Sequence, residues 1–431
     1  MLNCKRIKVK LINYLICVLL FISPLWSLIS PSTCYITLVL ISLISTFNGI
    51  YFSKNHIKYF FTERYFEFTK IKNSNKSNIK KTKDIIDLLN SIDFLILFII
   101  LAFLLIPFSI YPLFSTIKLF GFMLISILGI QWLKFFKKQD ELTRNSYAKS
   151  LMYGSLVIIL IIIIETFGNG YIQKNINNMN IFEGDRSHAK IFISCSIFTY
   201  MIMIALWNNL KIIKFLSPIF ILALINIDSD SLLMGMILGV IFASINKASI
   251  KIKKIISATI SFGTLVSPII AFFVFSDSNI GQFNKYTKDV SVLHRISLWH
   301  ESSKFIFERP ITGHGFNATR KIGDDHKKIE FVNSNNQLTE IYISKIGSHA
   351  HNYALQFWLE FGILGALLIS LFVYKISLKS FTLNLSASFA FSIIFSVFAF
   401  STGAFQTWWI GIIWILLPFW QNQSQNYYQK K

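Results

Sequence analysis

The feature that most limits what this chain can fold into is a series of apolar blocks, each about 17–25 residues long and separated by polar joints. Residues 155–167, SLVIILIIIIETF, show the type. An α-helix rises about 1.5 Å per residue, so about 20 apolar residues cross the ~30 Å hydrocarbon layer of a bilayer. Lipid offers no hydrogen bonds, so a crossing segment must satisfy its own backbone, which a helix does. A soluble chain of 431 residues would divide into two or three domains with polar surfaces, whereas here 53% of residues are hydrophobic and only 15% charged. Twelve spans are expected, at 11–28, 33–52, 91–113, 116–134, 150–167, 189–207, 210–227, 231–247, 255–276, 353–374, 386–402 and 404–420. The predicted fold class is an all-α integral membrane protein.

The formal net charge is +21. Such a balance can signal nucleic-acid binding, but the placement of the basic residues argues for topology. Lys5, Arg6, Lys8 and Lys10 precede the first span, and nine Lys/Arg lie in 53–90. Further clusters are Lys134, Lys137, Lys138 and Arg144; Lys211 and Lys214; Lys247, Lys251, Lys253 and Lys254; Lys375 and Lys379; and Lys430-Lys431. Alternating threading puts all seven clusters on one side, which the positive-inside rule makes the cytoplasm, with both termini there. No nucleic-acid partner is expected. Cys4, Cys17, Cys34 and Cys195 lie in or beside apolar blocks, with no CxxC or Cys/His cluster, so neither a disulfide frame nor a zinc site is expected. The basic N-terminus followed by an apolar run resembles a signal peptide but lacks a small-residue cleavage site, and is read as a retained first helix.

Two substantial segments fall on the opposite side, 168–188 and 277–352. The second holds six of the eight histidines, and its ten Lys/Arg nearly balance eight Asp/Glu. It is predicted to fold, mainly as helix, over the membrane surface. The organisation is thus 1–276, a bundle of nine spans; 277–352, an outside loop carrying the site; and 353–431, three spans and a cytoplasmic tail.

Four outside stretches carry polar groups. EGDRSHAK (183–190) holds Arg186 and His188. NIDSDSLL (226–233) holds Asp228 and Asp230. VLHRISLWHESSKFIFERPITGHGF (292–316) holds His294, Arg295, His300, Arg309 and His314. GSHAHNYALQFWLEFGILGALL (347–368) holds His349, His351, Asn352 and Glu360. In the third stretch Ile296, Trp299, Phe305 and Phe307 give helical spacing that Pro310 ends, followed by a turn on Gly313 and Gly315. Arg295 then lies near the start of an amphipathic helix resting on the membrane.

Arginine is always charged and grips phosphate oxygens bidentately, so two arginines from separate segments can hold a pyrophosphate. Histidine titrates near neutrality and accepts a proton from an attacking hydroxyl. The pairing suits transfer of a sugar from a lipid pyrophosphate to a sugar hydroxyl, with the arginines stabilising the leaving group in place of a metal. Each residue also has a structural reading. Arg186 and Arg295 suit lipid-headgroup anchors, and His294, His300, His314 and His326 suit solvated loop positions. His349 reads as a substrate contact or a helix-end surface group, and His351-Asn352 as the cap of the tenth span. Asp228 and Asp230 resemble a metal-binding DxD, but outside the cell they would sooner orient a basic group or act as an alternative base. Glu165 and Glu360 are the deeper acids. Glu360 lies nine residues past His351, roughly 13 Å along the helix, and must pair inside the bundle.

His351-Asn352, nine residues, Gly362, two residues, Gly365 matches the pattern H-N-x9-G-x-x-G of O-antigen ligases, and HRISLW followed by RPITGHGF resembles the stretch preceding it in the O-antigen ligase/polymerase superfamily. The resemblance covers 292–368. It implies a helical transferase of the GT-C type that acts without metal or other cofactor. It also implies that His351 is the catalytic base, that Arg295 is the essential loop arginine, and that Arg186 is the earlier outside arginine of a pyrophosphate clamp. His349, Asn352, Arg309, Asp228 and Asp230 are left as further contacts. One departure stands out. Where many relatives have Ser-Arg before the span at 231–247, this chain reads Asp228-Ser229-Asp230-Ser231, so that arginine's role is either absent or left to another residue such as Arg309 or Arg320.

The function implied is ligation, at the periplasmic face of the inner membrane, of undecaprenyl-pyrophosphate-linked O-polysaccharide to lipid A-core, by a monomer in contact with membrane lipid. The rival readings are an O-antigen polymerase, a protein-linking ligase of the same superfamily, and a polysaccharide or lipid transporter. Transport calls for ionisable residues at mid-membrane, which these spans largely lack.

Overall fold

The computed structural model describes residues 2–27, 33–47, 94–167, 230–276, 290–322, 326–332, 338–344, 346, 349–400 and 403–429. Its helices, in chain order, are α1 (Leu2–Ser27), α2 (Thr33–Phe47), α3 (Phe94–Leu105), α4 (Pro112–Lys138), α5 (Glu141–Phe167), α6 (Asp230–Ile245), α7 (Ile250–Val274), α8 (Val290–Glu308), α9 (Thr319–Ile322), α10 (Tyr353–Leu383), α11 (Leu385–Phe400) and α12 (Thr407–Gln429). Four segments are long and apolar enough to cross a membrane: Pro112–Lys138, Glu141–Ile164, Ile250–Val274 and Tyr353–Leu383. Six more described segments are apolar but shorter. The protein is a helical membrane protein. Ten of the twelve expected spans coincide with described helices, while those at 189–207 and 210–227 lie outside the described residues.

The all-α expectation needs one correction. Within the loop, β1 (His326–Val332) pairs antiparallel with β2 (Leu338–Ser344), Ile329 opposite Ile341. The sequences HKKIEFV and LTEIYIS are rich in β-branched and aromatic residues, among them Ile329, Phe331, Val332, Ile341, Tyr342 and Ile343, which suits strand over helix.

One half of the bundle is built by α1, α2, α4, α5 and α12, whose buried residues, among them Ile16, Leu38, Trp132, Tyr147 and Trp409, form the largest core cluster. Helices α1 and α5 approach so closely that a Cβ on Gly154 would strike the Phe21 carbonyl. In the other half α7 packs along α10, α6 along α11, and α8 lies against both α7 and α10. Leu298 and Ile306 of α8, Ala271 of α7 and Leu355 and Leu359 of α10 share one buried cluster. So one face of α8 rests on α7 and α10. Its buried Ser297, Ser302 and Ser303 keep the contact close.

Candidate active site

Helix α10 begins at the motif singled out above. The Asn352 side-chain oxygen accepts hydrogen bonds from the Ala354 and Leu355 backbone N–H groups at 2.9 and 3.2 Å, capping the helix. Ten residues on, Gly362 (φ +60°) breaks the helical run. The kink receives the turn after α8. Ile363 N–H donates to Pro310 O at 2.8 Å, His314 N–H to Leu359 O at 2.8 Å, and Gly315 N–H to Glu360 O at 2.9 Å. A Cβ on Gly362 would strike the Ile311 carbonyl, and one on Gly313 the Glu360 backbone. The far side of the turn is held by the α3–α4 connection, where Ile110 N–H donates to His314 O at 3.0 Å and Ser115 Oγ to Phe316 O at 2.9 Å. Phe316 is buried among Phe98, Phe361 and Phe405. Of the two glycines of H-N-x9-G-x-x-G, Gly362 therefore makes room for another segment to dock, while Gly365 packs against Phe357 and Phe361 of its own helix.

This docking fixes α8, whose second turn carries His294 and Arg295. The His294 ring lies 6.2 Å from the His351 ring, centroid to centroid, and the His351 and His349 rings lie 4.1 Å apart. Three histidines from two segments thus meet beside Arg295. His351 is half-buried, and its backbone sits in the left-handed region at φ +50°, a conformation that costs a non-glycine residue about 1 kcal/mol. His349 is 9% exposed, and its Nδ1 meets no hydrogen-bond partner among the described residues. The turn before α12 backs it, since a Cβ on Gly403 would lie 2.8 Å from the His349 Cβ. Burial pushes its pKa down to about 3, helped by the nearby His351 and Arg320, so it is neutral near neutrality. Burial, then the Arg295 charge, also lowers the pKa of His294. The site offers neutral imidazoles next to fixed cations. That arrangement can accept a proton from a hydroxyl while holding an anionic leaving group.

The other sequence-based candidates fall variously. Arg186, His188 and Asp228 lie outside the described residues, and Asp230 and Glu165 are described in backbone only. Arg309 is not brought to the histidines. It sits just past the far end of α8, roughly 20 Å along the helix from Arg295, and its Nη1 donates to Phe108 O at 3.2 Å. His300 and His314, expected as solvated loop residues, are both buried at 4% exposure. His314 Nε2 pairs with Phe305 O at 2.9 Å. The loop packs inward because its apolar residues have protein to cover. His294, read as solvated, instead joins the cluster. Its adjacency to Arg295 on a helix was the available signal, but helical phase alone does not tell which residue faces His351. Among the described residues no group of three or more His, Cys, Asp or Glu is placed to hold a metal ion.

Beside the start of α10 lies an apolar cavity of about 510 Å³ lined by Phe98, Tyr353, Phe357, Phe372, Phe405 and Trp414, among others.

Residues 215–370, which carry α8, the docked turn and the capped start of α10, match the sequence model described as O-antigen ligase. That segment is similar to the O-antigen ligase family. The chain is also similar to a "Putative polysaccharide ligase" of Rickettsia typhi, 29% identical over 346 residues, covering 78% of this chain and 81% of the relative. Proteins of the same printed name from Rickettsia prowazekii (28% identical, 78% and 81% covered) and Rickettsia bellii (27% identical, 72% and 75% covered) are similar too. No solved structure matches the chain.

Proposed function

We propose that the protein is an O-antigen ligase of the bacterial inner membrane, acting on its periplasmic face. It transfers polysaccharide from undecaprenyl pyrophosphate to a sugar hydroxyl of lipid A-core. The observation that carries this reading is the meeting of His351, His349 and His294 beside Arg295, inside the segment that matches the family. His351, the half-buried member, takes the acceptor hydroxyl proton as the oxygen attacks the anomeric carbon. The bond from that carbon to the pyrophosphate oxygen breaks, and the electron pair leaves with undecaprenyl pyrophosphate. Arg295, with Arg186 from the earlier loop, neutralises the leaving group, so the step is written without a metal. Asn352 holds the start of α10 at a fixed distance behind His351. The cavity beside Tyr353 supplies apolar surroundings for a prenyl chain.

The test is a lipopolysaccharide ladder in a strain lacking the native enzyme. His351→Ala and Arg295→Ala, expressed at wild-type level, are expected to abolish attachment and leave polymer on the carrier lipid. Loss of a general base alone costs about 10²–10⁴-fold. Ladders retained in both variants sink the assignment. Single repeat units left on core would instead mark a polymerase.

A further inference from the structure

The mechanism above leaves one buried charge unused. Glu360, in the third turn of α10, is fully buried. A carboxylate there is costly unless its oxygens are satisfied, and both are. Oε2 accepts from the Asn317 backbone N–H at 2.6 Å. Oε1 accepts from the Thr319 hydroxyl at 2.5 Å and from Gln356 Nε2 at 2.9 Å. Gln356 Oε1 in turn accepts from the Ala404 backbone N–H at 2.7 Å. One acid therefore joins the segment entering α9 to α10, and through Gln356 joins α10 to the turn that packs on His349.

What that segment delivers is a cation. Helix α9 has four residues, too few to hold a shape by itself. Its place depends on the Glu360 bonds at 317 and 319 and on Ile322, which packs into the cluster that includes Ile346 and Ala350. Ala350 is the residue between the two histidines. Arg320 follows the Thr319 anchor directly, and its side chain is exposed. It lies near enough for its charge to act on His349.

We propose that Arg320 is a further anion-binding residue of this site, and that Glu360 is its positioning residue, holding the 317–319 segment so that the Arg320 guanidinium faces the pyrophosphate beside His351. This rests on the donor chemistry proposed above. Guanidinium binds pyrophosphate in a fork of fixed geometry, so a displaced α9 weakens binding even with the charge still present.

The test uses the full-length protein, purified in detergent, with geranylgeranyl pyrophosphate as probe and titration calorimetry as readout. Arg320→Ala is expected to weaken binding about 10-fold and Arg320→Lys by less. Glu360→Gln is expected to weaken binding about 3- to 10-fold in the wild type, and by less than about 2-fold when Arg320 is already Ala, because a residue acting through another shows no effect once that other is gone. Where Glu360→Gln fails to fold by thermal melt, Thr319→Val replaces it in the same cycle. Wild-type binding by Arg320→Ala overturns the proposal, as does an equal loss from Glu360→Gln in both backgrounds. The ligase reading fails separately: if the cycle holds but the ladder assay shows no need for His351 and Arg295, the anion site stands and the reaction does not.

Discussion

Acidification should destabilise this protein through His349. Its side chain is 9% exposed, and its pKa is pushed down to about 3, first by burial and then by His351 and Arg320, with His294 a smaller contributor. An unfolded histidine titrates near 6.5. Between those values the unfolded chain binds a proton that the folded one refuses, so stability falls as pH falls. The contribution is complete above pH 6.5 and is lost by about 1.4 kcal/mol per pH unit below it. At pH 5 the loss is about 2 kcal/mol, enough for a Tm drop of a few degrees. The assay is thermal unfolding of the detergent-purified protein at pH 8 and pH 5, followed by intrinsic fluorescence of its nine tryptophans. His349→Gln should lose a substantial part of the pH-dependent drop. A residue of it persists in the variant, because burial also lowers the pKa values of His294 and His314. If wild type and His349→Gln lose the same number of degrees between the two pH values, His349 is not held neutral by burial and the reasoning fails.

Gly362→Ala places a Cβ on a left-handed backbone and against the Ile311 carbonyl, so a loss of at least about 1–2 kcal/mol and faster protease cleavage within 309–319 are expected; an unchanged digestion pattern refutes the docking role. Phe316→Ala empties the aromatic pocket between Phe98 and Phe405 and should cost about 3–5 kcal/mol, read as a fall in Tm. Asn352→Ala should lower stability by about 1 kcal/mol through loss of the cap, with Asn352→Ser restoring most of it, and a melt that separates the three proteins checks this.

Much of the site could be read along the chain. The His351-Asn352 spacing to Gly362 and Gly365 picked out the segment, and Asn352 caps α10 as its side chain suggests. The grouping of residues within the loop was less legible. Arg295 lies in α8 and Arg309 directly follows it, yet of the two only Arg295 lies with the histidines, while Arg309 points to the carbonyl of Phe108. Glu360 was expected to pair inside the bundle, and it does, but the sequence did not tell its partners, which are Thr319, Gln356 and the Asn317 backbone.

The sequence by itself determined the membrane class, because apolar block length against bilayer thickness and the unmet hydrogen bonds of a backbone in lipid leave helices as the solution for such blocks. It also determined where α10 starts and where α8 stops, since caps and proline act within a few residues. Only the tertiary structure decided that Ile110 meets His314, that Ser115 meets Phe316 some 201 residues away, and that these contacts bring His294 to His351. Periodicity and propensity are local. The choice of which buried faces meet depends on shape and on hydrogen bonds satisfied between segments far apart in the chain, and no short stretch of sequence encodes that.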